Sequence, residues 1–190
     1  MSTDYTLPED FWHNVDILSE LLLKYNKTHN ITGAKTKEIV MKNVEDSIYP
    51  LRFLPINDIK SAIDIGTGAG FPGLFLALAL PDTKFVLFEP IAKKSAFLHF
   101  AKISLGLGNV EVSTNRVEKV EPFQVDLISS RAVTNTKMLI SLCKGFIDSK
   151  TLLLFYKGEL VGEEIEGLKN CEIYQRDKRN YLIMKDVDAS

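Results

Sequence analysis

Apolar residues recur at helical spacing from the start of the chain, at Leu7, Phe11, Trp12, Val15, Leu18, Leu22 and Tyr25. One helix is therefore expected there, opened by the capping-box pattern Thr6-x-x-Glu9 with Pro8 in its first turn. After a polar link over residues 26–37, Ile39, Val40, Val44, Ile48 and Leu51 repeat the spacing in a second helical stretch. From Ser61 onward the period changes. Short β-branched runs alternate with amphipathic segments, the pattern of βαβ units on a parallel sheet. Strands are expected near 61–65, 84–88, 110–114, 125–129, 151–156, 171–176 and 180–185, with helices at 73–80, 92–105 and 135–146. The last two strands are separated by Asp177-Lys178-Arg179, too short for a crossover and suited to an antiparallel hairpin. The fold class is thus α/β, a seven-stranded, mostly parallel sheet ending in an antiparallel hairpin, preceded by a helical extension. A single domain over 1–190 is expected, with the extension at 1–55 and the α/β core at 56–190.

Composition narrows this little, but charge does more. With 45% hydrophobic and 25% charged residues the 190-residue chain has ordinary globular usage. Its 23 basic and 25 acidic side chains leave a net charge of −2, spread evenly along the sequence. A protein that grips nucleic acid through bulk positive charge should be basic, so an anionic partner has to be met by a local patch. The N-terminus lacks the charged and apolar regions of a signal peptide and no apolar run reaches the ~20 residues of a membrane span, so a cytoplasmic protein without membrane contact is expected. Two cysteines without CxxC spacing, Cys143 and Cys171, and scattered histidines point to no metal site and no disulfide framework.

The chemistry concentrates in Asp64-Ile65-Gly66-Thr67-Gly68-Ala69-Gly70-Phe71-Pro72-Gly73, at the end of the first core strand and the start of a helix. Glycines there turn the backbone sharply and let a ligand approach the amides. Gly68-x-Gly70-x-x-Gly73 also fits a dinucleotide fingerprint, and Glu89, 21 residues beyond Gly68, sits where a ribose-binding carboxylate belongs. An NAD(P)-dependent oxidoreductase is therefore a rival reading. Asp64 inside the strand favours the other cofactor class: Asp-x-Gly-x-Gly-x-Gly resembles the first motif of the Rossmann-like S-adenosylmethionine-dependent methyltransferases.

The Phe71-Pro72-Gly73 tail makes the match more specific. Together with Tyr25-Asn26-Lys27-Thr28-His29-Asn30-Ile31-Thr32, Val44-Glu45-Asp46-Ser47, Arg116-Val117-Glu118, Ser130-Arg131-Ala132 and Tyr156-Lys157-Gly158, it resembles the RsmG (GidB) family along nearly the whole chain. Members of that family methylate N7 of a guanine in 16S ribosomal RNA. The resemblance implies S-adenosylmethionine as cofactor, S-adenosylhomocysteine as product, and 16S rRNA as partner, within the small subunit or an assembly intermediate and met by a monomer. It implies that Gly66 and Phe71 line the cofactor, that Val117 and Glu118 meet its adenine, and that Arg131 sits where cofactor and guanine come together. The sequence departs from the family at Asn43, where a histidine is common.

Guanine N7 bears a lone pair and no proton, so attack on a sulfonium methyl needs positioning and electrostatics rather than a general base. Arg131 or Arg116 is expected to hold O6 or a neighbouring phosphate and to leave N7 free. Lys157, after the apolar run 152–156, is expected to emerge at the carboxyl edge of the sheet and contact phosphate. Lys93 and Lys94, opening a helix where their charge opposes its dipole, are candidates for holding an anion. Lys27, Lys35, Lys37, Arg176, Lys178 and Arg179 read as solvated surface, and Trp12 as core. Arg116, Arg131 and Lys157 are thus the catalytic candidates, and Asp64, Gly66, Gly68, Gly70, Phe71, Glu89, Val117, Glu118 and Arg131 the cofactor-binding ones. Ribose 2′-hydroxyl methylation, with Lys157 beside the acceptor, and a catalytically silent module that keeps the fold are the remaining rivals.

Overall fold

A computed structural model describes residues 5–187. Two helices, α1 (Phe11–His29) and α2 (Lys37–Ile48), precede seven strands: β1 (Ser61–Ile65), β2 (Lys84–Phe88), β3 (Val110–Ser113), β4 (Leu127–Arg131), β5 (Leu152–Lys157), β6 (Cys171–Arg176) and β7 (Arg179–Met184). Helices α3 (Gly73–Ala79), α4 (Ala92–Ser104), α5 (Thr136–Cys143) and the single turn α6 (Val161–Glu164) connect them. The strand order is β3-β2-β1-β4-β5-β7-β6, parallel except that β7 runs antiparallel to both neighbours. The expected sheet and hairpin are therefore present. The order reverses between β1 and β4, so their carboxyl ends open a crevice at the switch point.

Period-2 alternation distributes the strands between two cores. Leu152, Leu154 and Tyr156 of β5 face one cluster with α1, α2, α3 and α4, while Leu153 and Phe155 join Leu139, Cys143 and Phe146 on the other face. All six residues of β5 are buried, which is why its first five, Leu152 to Tyr156, are a continuous apolar run rather than an alternating one. The extension shares the first core: Phe11, Val15, Leu18, Leu22, Val40 and Val44 pack with α3 and the sheet. No helix of the described residues is long and apolar enough to cross a membrane.

Three local expectations differ from the structure. Helix α1 starts at Phe11, not at a Thr6 cap: Pro8 accepts the Phe11 amide in a preceding turn, Asp10 is the N-cap without a side-chain bond, and Tyr5 donates to the Ala79 carbonyl, holding the entering chain away from the helix axis. Trp12 is 46% exposed, because at helical spacing Phe11 and Val15 take the inward face and turn their neighbour out. Strand β4 runs two residues later than its apolar content suggests. Asp126 is spent before the strand, its carboxylate accepting from the Lys60 and Ser61 amides, and the polar Ser129 and Ser130 are tolerated inside because each hydroxyl bonds to β1.

The polar link after α1 is built around Asn26. Its amide oxygen accepts from the Ile31 and Thr32 N–H groups and its amino group donates to the Thr32 and Ala34 carbonyls, so one buried side chain completes the turn between α1 and α2.

Candidate functional site

The glycine loop leaves β1 at Gly66, and three glycines in it adopt positive φ: Gly66 at 68°, Gly68 at 62° and Gly70 at 96°. Gly66 and Thr67 both donate to the Phe88 carbonyl, curling the loop over the end of β2. Phe71 and Phe75 stack at 4.8 Å across the entry into α3. At Gly73 a Cβ would lie 2.6 Å from Asp64 Oδ2 and from Leu87, and 2.8 Å from the Thr67 hydroxyl, so only glycine fits between β1 and the loop. At Gly68 a Cβ would meet only the Gly66 carbonyl, at 3.9 Å, which leaves room for a ligand to approach the backbone on that side. Thr67 Oγ1 is buried inside the loop without a well-formed hydrogen bond among the described residues, and it lies near enough to Asp64 to help draw that carboxyl down. An open glycine cradle beside a poorly bonded hydroxyl and a buried carboxylate suits the polar end of a nucleoside cofactor.

Asp64 fixes this geometry. Its Oδ2 accepts from the Gly73 amide at 3.0 Å and its Oδ1 from the Ser129 hydroxyl at 2.6 Å, tying β1 to α3 and β4. The side chain is fully buried, and burial pushes its carboxyl from 3.8 up to about 6, against the Ser129 and Gly73 bonds and the charge of Arg131, which draw it down. Below pH 3.8 folded and unfolded forms both hold the proton. As pH rises through about 6 the folded form must also give it up, so stability present in acid is lost across that window, on the order of 3 kcal/mol for a shift of about two units. Asp64→Asn can keep the Gly73 bond on its oxygen and donate its amino group to the Ser129 hydroxyl, and it removes the titration, so its stability relative to wild type is expected to rise from pH 4 to pH 7. Denaturant unfolding across that range checks this, and parallel curves for the two proteins would refute the shift.

Glu89 is buried at the end of β2, accepting from the Gly68 amide at 2.9 Å through one oxygen and from the Ile91 amide at 2.8 Å through the other. It stands against the glycine loop with each oxygen accepting from a backbone amide. Val117 is buried and Glu118 exposed in the turn 117–119 that follows β3.

Arg131 ends β4 with its guanidinium 4.9 Å above the Phe71 ring. Its Nη1 donates to Asn43 Oδ1 and to Asp46 Oδ2, both at 3.1 Å, and the pair with Asp46 is about 15% exposed on each side. Asp46 is shared: its Oδ1 accepts from the Tyr181 hydroxyl at 2.9 Å and from Arg179 Nε at 3.1 Å. Burial, reinforced by Asp46, pushes the Tyr181 hydroxyl far up, so it remains a donor. Asn43 supplies the second acceptor for Arg131, which gives the departure from histidine a place in the structure. Sequence reasoning missed Asp46 as the hub, although Asn43 and Asp46 lie three apart beside the buried stripe Val40, Val44 and Ser47 of α2.

Three expected anion contacts lie differently. Lys157 does not emerge from the sheet edge: it is 6% exposed, its Nζ donating to the Thr134 carbonyl at 2.9 Å and to Glu164 Oε2 at 2.8 Å, because the chain doubles back through α6 and places a carboxylate over it. Arg116 is exposed after β3, three strand positions from β4, about 14 Å at the usual interstrand spacing. Lys93 donates to the His29 and Asn30 carbonyls, so its charge completes the C-terminus of α1 instead of awaiting an anion. Arg179, read as solvated surface, is partly buried on Asp46, while Arg176 pairs with Glu45. Sequence reasoning also missed Val133, whose methyl occupies the space a Gly66 side chain would need.

Residues 13–187 match the family described as rRNA small subunit methyltransferase G, GidB. A protein named ribosomal RNA small subunit methyltransferase G from Wolinella succinogenes is 46% identical over 185 residues, spanning 96% of this chain and 95% of its own. One of the same name from Campylobacter fetus subsp. fetus is 44% identical over 183 residues, spanning 95% and 98%. Among solved structures, a putative S-adenosyl-L-methionine-dependent methyltransferase from Methanococcus maripaludis superposes with a TM-score of 0.62 at 13% identity, over 90% of this chain and 92% of that one.

Proposed function

The chain belongs to the rRNA small subunit methyltransferase G family, and from that premise we propose that it transfers a methyl group from S-adenosylmethionine to N7 of one guanine in 16S rRNA. It acts as a cytoplasmic monomer on the small subunit or an assembly intermediate. When bound, the cofactor supplies a methyl on a sulfonium centre. The chain supplies its place: the uncrowded backbone at Gly68 and the Glu89 carboxylate, which the Gly68 and Ile91 amides fix in position, border the polar and ribose ends, and Val117 and Glu118 flank the adenine.

The observation that carries the reading is Arg131, a guanidinium fixed over Phe71 at the mouth of the glycine loop by two acceptors from α2. Its remaining N–H groups can hold guanine O6 or a flanking phosphate while N7 stays unblocked. Since N7 carries no proton, orientation and fixed charge are sufficient. Ribose methylation would need a base to take a hydroxyl proton, and Lys157, the candidate for that task, is committed to Glu164 and the Thr134 carbonyl.

Mass-spectrometric mapping of 16S rRNA from cells with and without the gene tests the proposal. One N7-methylguanine should vanish on deletion and return with the wild-type gene. Loss of a ribose methyl instead, or no loss, would overturn it.

A further inference from the structure

A small cavity of about 150 Å³ opens between the carboxyl ends of β4 and β5, next to Arg131 in sequence and space. Its lining includes Ser130, Thr134, Lys157, Gly158, Glu164 and Arg179. A void of this size accepts one aromatic ring. Its polar content is not a simple structural pair. Glu164 Oε2 is saturated by Lys157 Nζ, the Thr136 amide and the Thr136 hydroxyl, all within 2.9 Å, whereas Oε1 takes no hydrogen bond from the described residues. Lys157 uses two of its three N–H bonds, on Thr134 and Glu164. Burial works against the Glu164 charge, but the bonds from Lys157 and Thr136 hold its carboxyl below the usual range, so it is ionised at neutral pH. One free acceptor thus stands 2.8 Å-linked to one free donor in a ring-sized space.

That order matches one nucleobase edge. Guanine presents N1–H and an N2 amino group as donors beside the O6 acceptor; adenine offers an acceptor at N1, which a carboxylate repels. Enzymes that modify a base take it out of the stack and read this edge in a close-fitting pocket. Reading guanine from this side also leaves N7, on the five-membered ring, at the cavity mouth.

We propose that this cavity receives the six-membered ring of the target guanine, with the two lone pairs of Glu164 Oε1 accepting from N1–H and the N2 amino group and Lys157 donating to O6. The inference rests on the N7 reading above and adds how the base is chosen. Arg131 then serves a flanking phosphate and the electrostatics of the transfer, since O6 is taken by Lys157.

The test uses small subunits reconstituted with 16S rRNA carrying guanosine or inosine at the methylated position; inosine lacks only the N2 amino group. The full-length wild-type protein should methylate inosine about 10–100-fold less efficiently in kcat/KM. Glu164→Gln should lower methylation of the guanosine substrate by about 10²-fold or more while S-adenosylhomocysteine affinity is kept, and should discriminate the two bases by less than about threefold. Equal methylation of both bases by wild type overturns the pocket, as does an inosine loss of the same size in both proteins, the result if Glu164 only braces α5. If the variant melts or loses cofactor affinity, the wild-type arm decides alone. A methyl at an atom other than N7 overturns both readings, whereas N7 methylation indifferent to inosine overturns only this one.

Discussion

Replacing Arg131 with alanine is expected to lower methyl transfer by about 10²- to 10³-fold, the size of effect seen when one preorganised electrostatic group is removed from an active site. Folding should suffer much less. Asp46 would lose one cation but keep Arg179 at 3.1 Å and the Tyr181 hydroxyl at 2.9 Å, so the carboxylate is not left unpaired. A stability cost of about 1–3 kcal/mol follows for one lost charge-assisted bond in a partly buried site. Arg131→Lys should recover little. An ammonium keeps the charge, but it lacks the planar fork that can hold Asn43 and Asp46 with one nitrogen and present the others to substrate. Single-turnover methylation of small subunits, read beside thermal melting and S-adenosylhomocysteine calorimetry, separates the two effects. Turnover near wild type in Arg131→Ala would remove this residue from the site.

Gly73→Ala is expected to damage fold and cofactor binding together. The new methyl would sit within 3.0 Å of Asp64 Oδ2, Leu87 and Thr67 Oγ1, and none of these can retreat freely, since Asp64 is bonded to β4 and Leu87 lies inside β2. Overpacking of this kind costs about 1–3 kcal/mol, and losing the Gly73 bond to Asp64 adds to it. Cofactor affinity should fall by about 10²-fold or more, because Asp64 and Thr67 set the loop. Gly68→Ala gives the contrast. Its methyl meets nothing closer than 3.9 Å, so stability should fall only by the cost of a positive φ, about 1 kcal/mol, while the methyl occupies the ligand's approach to the loop. Calorimetry and melting on the pair should therefore show both quantities lost at Gly73 and chiefly binding lost at Gly68. Equal behaviour of the two variants would contradict the division of roles.

The sheet was legible in the sequence because a strand buried on both faces is mostly apolar, and an intervening three-residue link has to be a hairpin. The glycine loop was legible because positive φ restricts residue choice. Less was visible where a charged side chain meets a distant partner. Lys157 and Glu164 are seven apart, yet only the reversal of the chain through α6 turns an apparent edge lysine into a buried ion pair. Arg131 was singled out, whereas the task of holding it was not assigned to Asn43 and Asp46, 88 and 85 residues away. A polar residue beside an apolar stripe looks solvated until the surface it packs against is known. Trp12 failed by the opposite route: apolar character suggested burial, and helical phase decided otherwise.

That phase has its largest consequence in α2. Asn43 and Asp46 are one turn apart and reach Arg131 from the same side of the helix, so the angle of that helix about its own axis is set against the crevice as closely as the register of any strand. Each residue advances an α-helix by about 100°. A single deletion between Val40 and Ser47 would swing Asp46 away from Arg131, Arg179 and Tyr181 at once, although composition and hydropathy would scarcely change. An insertion in the link before Thr36 would act instead on the turn that Asn26 completes, leaving the phase of α2 unchanged. Inside α2, chain length is therefore as constrained as the residues themselves.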